Sequence, residues 1–94
     1  MKLWIISRTG HITYDTYDSA VVAAETAHEA RTIHPSEMGY IISGGIWCWA
    51  DNQGFCHTLT NTGGWCDPDD VQVEYLGETD REISGVILAS FNAG

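Results

Sequence analysis

Residues 46–57, with the sequence IWCWADNQGFCH, contain most of the side chains in this chain that could bind a metal or react. A structural zinc ion needs thiolate or imidazole ligands on all sides. The candidates are Cys48, Cys56, Cys66 and either His57 or His11. Seven and nine residues separate the cysteines, whereas structural zinc modules use pairs about two to four residues apart. We therefore expect no metal ligands and no cofactor, and we keep a small metal-binding module as an alternative.

The same thiols could form a disulfide or a catalytic pair. If the turn places Ala50 opposite Gly54, Cys48 faces Cys56 across a hairpin, and a turn of another length would break this pairing. An odd number of cysteines excludes a fully paired framework, and free thiols are normal in a reducing compartment. Adjacent strand residues point to opposite faces, so Cys56 and His57 make a poor catalytic pair. We expect cysteines that fill the core and no catalytic residue.

The tryptophans of the same region indicate a binding surface. Four large aromatic side chains lie within about twenty residues, more than a core of this size can enclose, so some should remain exposed for a partner. Carboxylates flank them in the sequence. The predicted partner-binding residues are Trp47, Trp49, Trp65, Asp51, Asp67, Asp69 and Asp70. The alternative is that the rings only cover one end of a sheet.

Charge narrows the class of partner. Thirteen acidic residues against four basic ones give a formal net charge of -9. Direct binding to nucleic acid is disfavoured, because affinity for phosphate backbones depends on Lys and Arg. Long-range attraction instead favours a basic protein surface, such as one that itself holds nucleic acid. The alternative is that the acidity only keeps a small protein in solution.

Length and hydropathy predict a single domain, residues 1–94, because 94 residues supply one modest core. No apolar run approaches the roughly 20 residues that span a bilayer. The first residues, MKLWIISRTGH, lack the small-residue cleavage site of a signal peptide. We therefore expect a soluble, cytoplasmic protein that does not bind membranes.

Strand patterns cover most of the chain. Alternating apolar residues predict strands in KLWIIS, SAVVAAE, FCHTLT and VQVEYLG. GYIIS and GGIWCWA predict one strand interrupted at Gly44 and Gly45, or two strands. The last run, GVILASF, is nearly continuously apolar, which is typical of a strand that is central in the sheet or covered on both faces. Apolar residues on both sides of KLWIIS likewise suggest a strand covered twice or lying near a partner.

One helix is predicted after the second strand. Thr26 and Glu29 have the spacing of a capping box, and Pro35 should end the helix after about two to three turns. His28 and His34 are then expected on the helix surface and at its C-terminal end. The predicted fold is α+β, a mostly antiparallel sheet of about five to six strands covered by one short α-helix.

Four segments together resemble a type of small protein found in phages and prophages. They are YDTYDSAVVAAE, ARTIHP, WCDPDDVQVEYLGE and GVILASFNAG, which cover both ends and the helix but not residues 37–60. The resemblance carries over no catalytic residue. Small acidic phage proteins of this size are often similar to anti-defence factors, including anti-CRISPR proteins that occupy nucleic-acid-binding surfaces. The resemblance therefore implies a non-enzymatic inhibitor of a bacterial defence protein, acting in the cytoplasm of the host.

A second hypothesis is a nucleotide sponge, which would sequester an immune second messenger between tryptophans as a homo-oligomer. Such a pocket needs cations to meet phosphate, and the candidates are Arg8, Arg31 and Lys2. The chain has only four Lys and Arg residues, which ranks this hypothesis below protein binding.

Overall fold

The structure is a computed structural model that describes residues 1–8 and 16–92. Within these residues the chain forms seven strands in two antiparallel sheets and one short α-helix. The large sheet has the order β6-β1-β2-β7, and the small sheet has the order β3-β4-β5. The elements are β1 (Lys2–Arg8), β2 (Thr16–Ala24), α1 (Ala27–Arg31), β3 (Ile41–Ser43), β4 (Ile46–Ala50), β5 (Cys56–Thr58), β6 (Val71–Glu78) and β7 (Gly85–Asn92). Two short 3-10 helices, Thr60–Gly63 and Pro68–Asp70, connect β5 to β6. The predicted α+β fold is confirmed, and it has slightly more strands than predicted.

The large sheet packs one of its faces into the core. Because side chains alternate along a strand, Trp4 and Ile6 of β1 lie on this core face, while Leu3 and Ile5 lie on the other. Helix α1 contacts β1, β2 and β6, and the small sheet adds Trp47 to the same core. The molecule therefore has two layers, with α1 and the small sheet on one side of the large sheet.

Helix α1 begins as the sequence predicts and ends earlier. The Thr26 hydroxyl accepts a hydrogen bond from the Glu29 amide, and Glu29 Oε1 accepts one from the amide of Glu25. The helix stops at Arg31, where the Thr32 hydroxyl donates to the Glu29 carbonyl. The predicted length of two to three turns is therefore wrong. The chain leaves the helix before Pro35 because His34 turns into the core rather than lying at the helix end.

The small sheet consists of two hairpins. Gly44 and Gly45, both with positive φ, form the two-residue turn between β3 and β4, so the two-strand interpretation of this region is correct. In the second hairpin Ala50 pairs with Cys56, which leaves five residues in the turn. Cys48 therefore pairs with Thr58, and the register that would align Cys48 with Cys56, which the sequence left open, is not the one adopted. All three cysteines are free, with Cys56 exposed and the other two buried.

Strand β7 corrects a further prediction. The apolar run GVILASF predicts a strand that is central or covered on both faces, whereas β7 lies at an edge of the large sheet. Ile87, Leu88 and Phe91 are exposed, while Val86 enters the core. The nearly continuous apolar sequence of β7 therefore does not mean that both of its faces are buried within the monomer.

Among residues 1–8 and 16–92, no helix is long and apolar enough to cross a membrane.

Candidate partner-binding site

The tip of the β4–β5 hairpin presents an exposed and well-held tryptophan. Trp49 on β4 pairs with His57 on β5, and their rings stack with centroids 4.3 Å apart and an angle of 23°. The side chain of Trp49 remains 44% exposed. Direct cross-strand neighbours have side chains on the same face, which explains why these two rings meet. The indole is thus fixed on one side and open to solvent on the other.

Asp51 organises the same tip. Its Oδ1 accepts hydrogen bonds from the amides of Gln53 at 2.9 Å and Phe55 at 3.0 Å. Its Oδ2 lies 2.9 Å from Nε2 of His57. The hydrogen bond with His57, followed by that from the Phe55 amide, lowers the pKa of Asp51. One carboxylate therefore closes the turn and fixes the imidazole on which Trp49 stacks.

Apolar side chains extend the surface around this ring. A cleft of about 460 Å³ lies beside Trp49, and Tyr40 and Met38 form part of its wall. Phe55, at the end of the turn, is exposed, and so is Met38. We call this region the hairpin surface, formed by Met38, Trp49, Asp51, Phe55 and His57. It combines rigid aromatic area with a carboxylate, the composition of a protein-binding anchor.

Trp47 and Trp65 are not part of that surface. They are 0% and 1% exposed, and the indole N–H of Trp47 donates to the Cys66 carbonyl at 2.8 Å. The prediction that both rings are accessible is therefore wrong. Alternation does place Trp47 and Trp49 on the same face of β4, but only the Trp47 end of that face is covered by the core.

The remaining predicted carboxylates lie elsewhere. Asp67, Asp69 and Asp70 are exposed, and they belong to the 3-10 helix Pro68–Asp70 and the residue before it. This segment leads into β6 of the large sheet, whereas Trp49 belongs to the small sheet. Of the seven predicted residues, the structure brings Trp49 and Asp51 together through His57. Sequence reasoning missed His57 and Phe55 as members of the site because the hairpin register was open.

His34 is a second feature that the sequence did not identify. Its ring packs edge-on against Tyr40 and Trp47, with centroids 4.9 and 5.0 Å apart. Nδ1 accepts a hydrogen bond from the Ser36 amide, so Nε2 carries the proton that it donates to the Thr62 carbonyl at 2.9 Å. Burial lowers the pKa of His34. This neutral imidazole braces the small sheet against the loop 59–64, and its position next to Pro35 gave no signal of burial.

The clefts bear on the nucleotide hypothesis. A cleft of about 360 Å³ is lined by His34, Tyr40, Glu37 and Arg81, and contains no tryptophan. The guanidinium of Arg81 already donates to the carbonyls of Ile83 and Val86. The cleft beside Trp49 is lined by neither Lys nor Arg among the described residues. Among the described residues, the cleft with a tryptophan for stacking therefore has no Lys or Arg to bind phosphate, and the cleft with Arg81 has no tryptophan.

No group of three or more His, Cys, Asp or Glu side chains in residues 1–8 and 16–92 is arranged to hold a metal ion. His11, one of the zinc candidates, lies outside the described residues. Searches of protein families, curated proteins and solved structures found no match for this chain. The geometry of the hairpin surface is therefore the main guide to function.

Proposed function

We propose that this protein is a non-enzymatic binding module that docks on a basic protein surface through its hairpin surface. The observation that carries the proposal is Trp49, held against His57 by stacking while almost half of its side chain remains exposed. A large exposed ring is costly in water and gains most from burial against a partner. Because Asp51 and His57 already restrict the ring, little side-chain entropy remains to be lost on binding.

Net charge specifies the kind of partner. The charge of -9 attracts a basic surface over distances comparable with the Debye length, roughly 8 Å at physiological salt. Exposed carboxylates at Asp67, Asp69 and Asp70 add to this field. We assign attraction to the whole surface and anchoring to Trp49.

A narrower proposal follows from the resemblance to phage and prophage proteins. In that case the partner is a bacterial defence protein, and docking covers the basic surface with which it binds nucleic acid. This part rests on the resemblance and the charge, whereas the anchoring role of Trp49 rests on the geometry.

The test begins with capture of partners from a bacterial lysate by the immobilised protein and their identification by mass spectrometry. Binding of the purified partner is then measured for the wild type, Trp49→Ala and Tyr75→Ala. We expect Trp49→Ala to weaken binding by about 30-fold or more, as truncation of a central aromatic anchor does. Tyr75 is a matched control, because it is half exposed but lies on β6 of the other sheet. Equal affinities for the wild type and Trp49→Ala would remove the proposed anchor.

A further inference from the structure

The large sheet has a second face, opposite the core, on which several apolar side chains remain at least partly exposed. The strand pairs Leu3 with Ala23, Ile5 with Val21 and Val21 with Leu88 place these side chains on the side opposite the core. We call this side the open face. Its apolar members are Leu3, Ile5, Val21, Ala23 and Leu88, and its polar members are Ser7, Ser19, Gln72, Glu74 and Ser90.

Most apolar members of the open face lie outside the core. Leu3, Ile5, Val21 and Leu88 neither belong to the buried core cluster nor pack against it within the described residues, whereas Ala23 is fully buried. Leu88 is 68% exposed, and Leu3, Ile5 and Val21 are partly exposed. The molecule is only 20 Å thick along its shortest axis, which corresponds to two layers at the roughly 10 Å spacing of packed sheets. Within residues 1–8 and 16–92, no helix or strand forms a third layer on this side of the large sheet.

Charge is also sparse on this face. Among the described residues that the register places there, Glu74 carries the only charge, although the chain contains thirteen acidic residues. A basic partner would find few carboxylates here, whereas a second copy of this chain, which is equally acidic, can approach closely only where charge is low. The open face therefore suits self-association, and the charged exterior suits a basic partner.

The area of the open face is adequate for a dimer. Four strands about 4.8 Å apart and about six residues long project over roughly 400 Å². The side chains make the accessible area larger, about 600 to 800 Å² for each copy, which approaches the roughly 800 Å² per partner of a standard interface. Both edge strands are irregular. The register of β6 against β1 shifts between Leu3 and Trp4, and the register of β7 against β2 shifts between Val21 and Val22. Such irregularities disfavour strand-to-strand association at the sheet edges.

We propose that the open face is the interface of a homodimer, in which two copies pack sheet against sheet about a two-fold axis. Leu88, Val21 and Ile5 of each copy then fill the space between the sheets, as in a β-sandwich. The hairpin surface belongs to the opposite layer and stays exposed in both copies. This inference stands whether or not the hairpin surface binds a partner.

Sedimentation equilibrium of the full chain tests the dimer. The wild type is expected at twice the chain mass of 10.3 kDa in the micromolar range. Leu88→Glu and Leu88→Lys should each weaken dimerisation by about 100-fold or more, because either charge would be buried without a partner. The lysine variant separates two explanations. Because lysine reduces the net negative charge of each copy, Leu88→Lys would strengthen dimerisation if only repulsion between the two acidic copies limited it.

Ile83→Glu is the matched control. Ile83 is 73% exposed but lies in the loop between β6 and β7, so its replacement should leave the dimer intact. The near-ultraviolet circular dichroism of the buried Trp47 and Trp65 confirms that each variant is folded. A wild type that remains at 10.3 kDa up to about 1 mM would overturn the proposal, as would folded Leu88 variants that dimerise like the wild type.

Discussion

Asp51 is the residue on which the hairpin surface depends. Its two carboxylate oxygens bond two backbone amides of the turn and the imidazole of His57, so one side chain determines both the turn and the position of the Trp49 ring. The hydrogen bonds lower the pKa of Asp51, which means that the folded protein favours the carboxylate. A group with a lowered folded pKa stabilises the fold above its unfolded pKa and loses that contribution as pH falls.

Acid should therefore weaken the hairpin tip. For the wild type we expect the contribution of Asp51 to be complete above its unfolded pKa, about 4, and to disappear as pH falls through the lower folded value. Asp51→Asn keeps an oxygen for the two amides and removes the charge. Urea unfolding at pH 7 and pH 3 should show a stability difference between the two proteins at pH 7 that shrinks at pH 3. A difference that is unchanged at pH 3 would contradict the role of the charge.

His34 gives a second pH dependence with its own window. Because burial lowers its folded pKa, the unfolded chain binds a proton more readily, and stability should decline as pH falls from about 6.5 towards the folded pKa. His34→Gln should cost about 2 kcal/mol at pH 7 through lost packing and hydrogen bonds, and should flatten this decline.

The control for His34 is His28→Gln, since His28 is exposed on α1. As a substitution at an exposed position, it should leave the stability at pH 7 within about 0.5 kcal/mol of the wild type. Urea unfolding at several pH values between 7 and 5 provides the measurement. An equal decline in the wild type and His34→Gln would assign the pH dependence to other groups.

At the scale of elements, the loop that supports His34 depends on Gly63. A Cβ at Gly63 would lie 2.9 Å from Nε2 of His34, and the backbone has a φ of +65°. We expect Gly63→Ala to destabilise the protein by about 3 kcal/mol, from left-handed strain and displacement of the imidazole together. Gly39→Ala shares the positive φ, at +73°, but its Cβ would meet nothing within 4 Å, so it should cost about 1 kcal/mol.

Thermal or urea unfolding of the two alanine variants measures the difference, which separates the contacts with His34 and Leu59 from the backbone strain. Equal destabilisation would show that both side chains move aside without cost. A larger effect of Gly39→Ala would contradict the assignment of Gly63 as the critical position.

The sequence predicts which segments form strands and the helix better than it predicts which of these elements pack against each other. Apolar alternation located the strands, and the Thr26–Glu29 capping box located the start of α1, because both depend on local chemistry. The length of the Asp51–Phe55 turn, the burial of His34 and the edge position of β7 depend on tertiary contacts. For this reason Trp47 and Trp65, two of the predicted binding residues, proved to belong to the core.

At the scale of the whole molecule, the two proposed interfaces should respond to salt in opposite directions. Docking on a basic partner gains from attraction and should weaken as salt rises from about 0.05 to 0.5 M. Dimerisation through the charge-poor open face works against the repulsion between two copies of charge -9, so the same salt should strengthen it. Sedimentation of the chain alone and titration with the purified partner measure the two equilibria separately. Parallel salt dependence would contradict the separation of the two surfaces.

The distribution of the four indoles also gives this protein its own optical probes. Trp47 and Trp65 are sealed in the interior, Trp4 is partly buried with its N–H donated to the Ala24 carbonyl, and Trp49 lies open against an imidazole. A collisional quencher such as acrylamide should therefore extinguish emission from Trp49 first and leave a blue-shifted spectrum from the interior rings. Occupation of the hairpin surface then becomes visible as protection of the red-shifted component, without any added label.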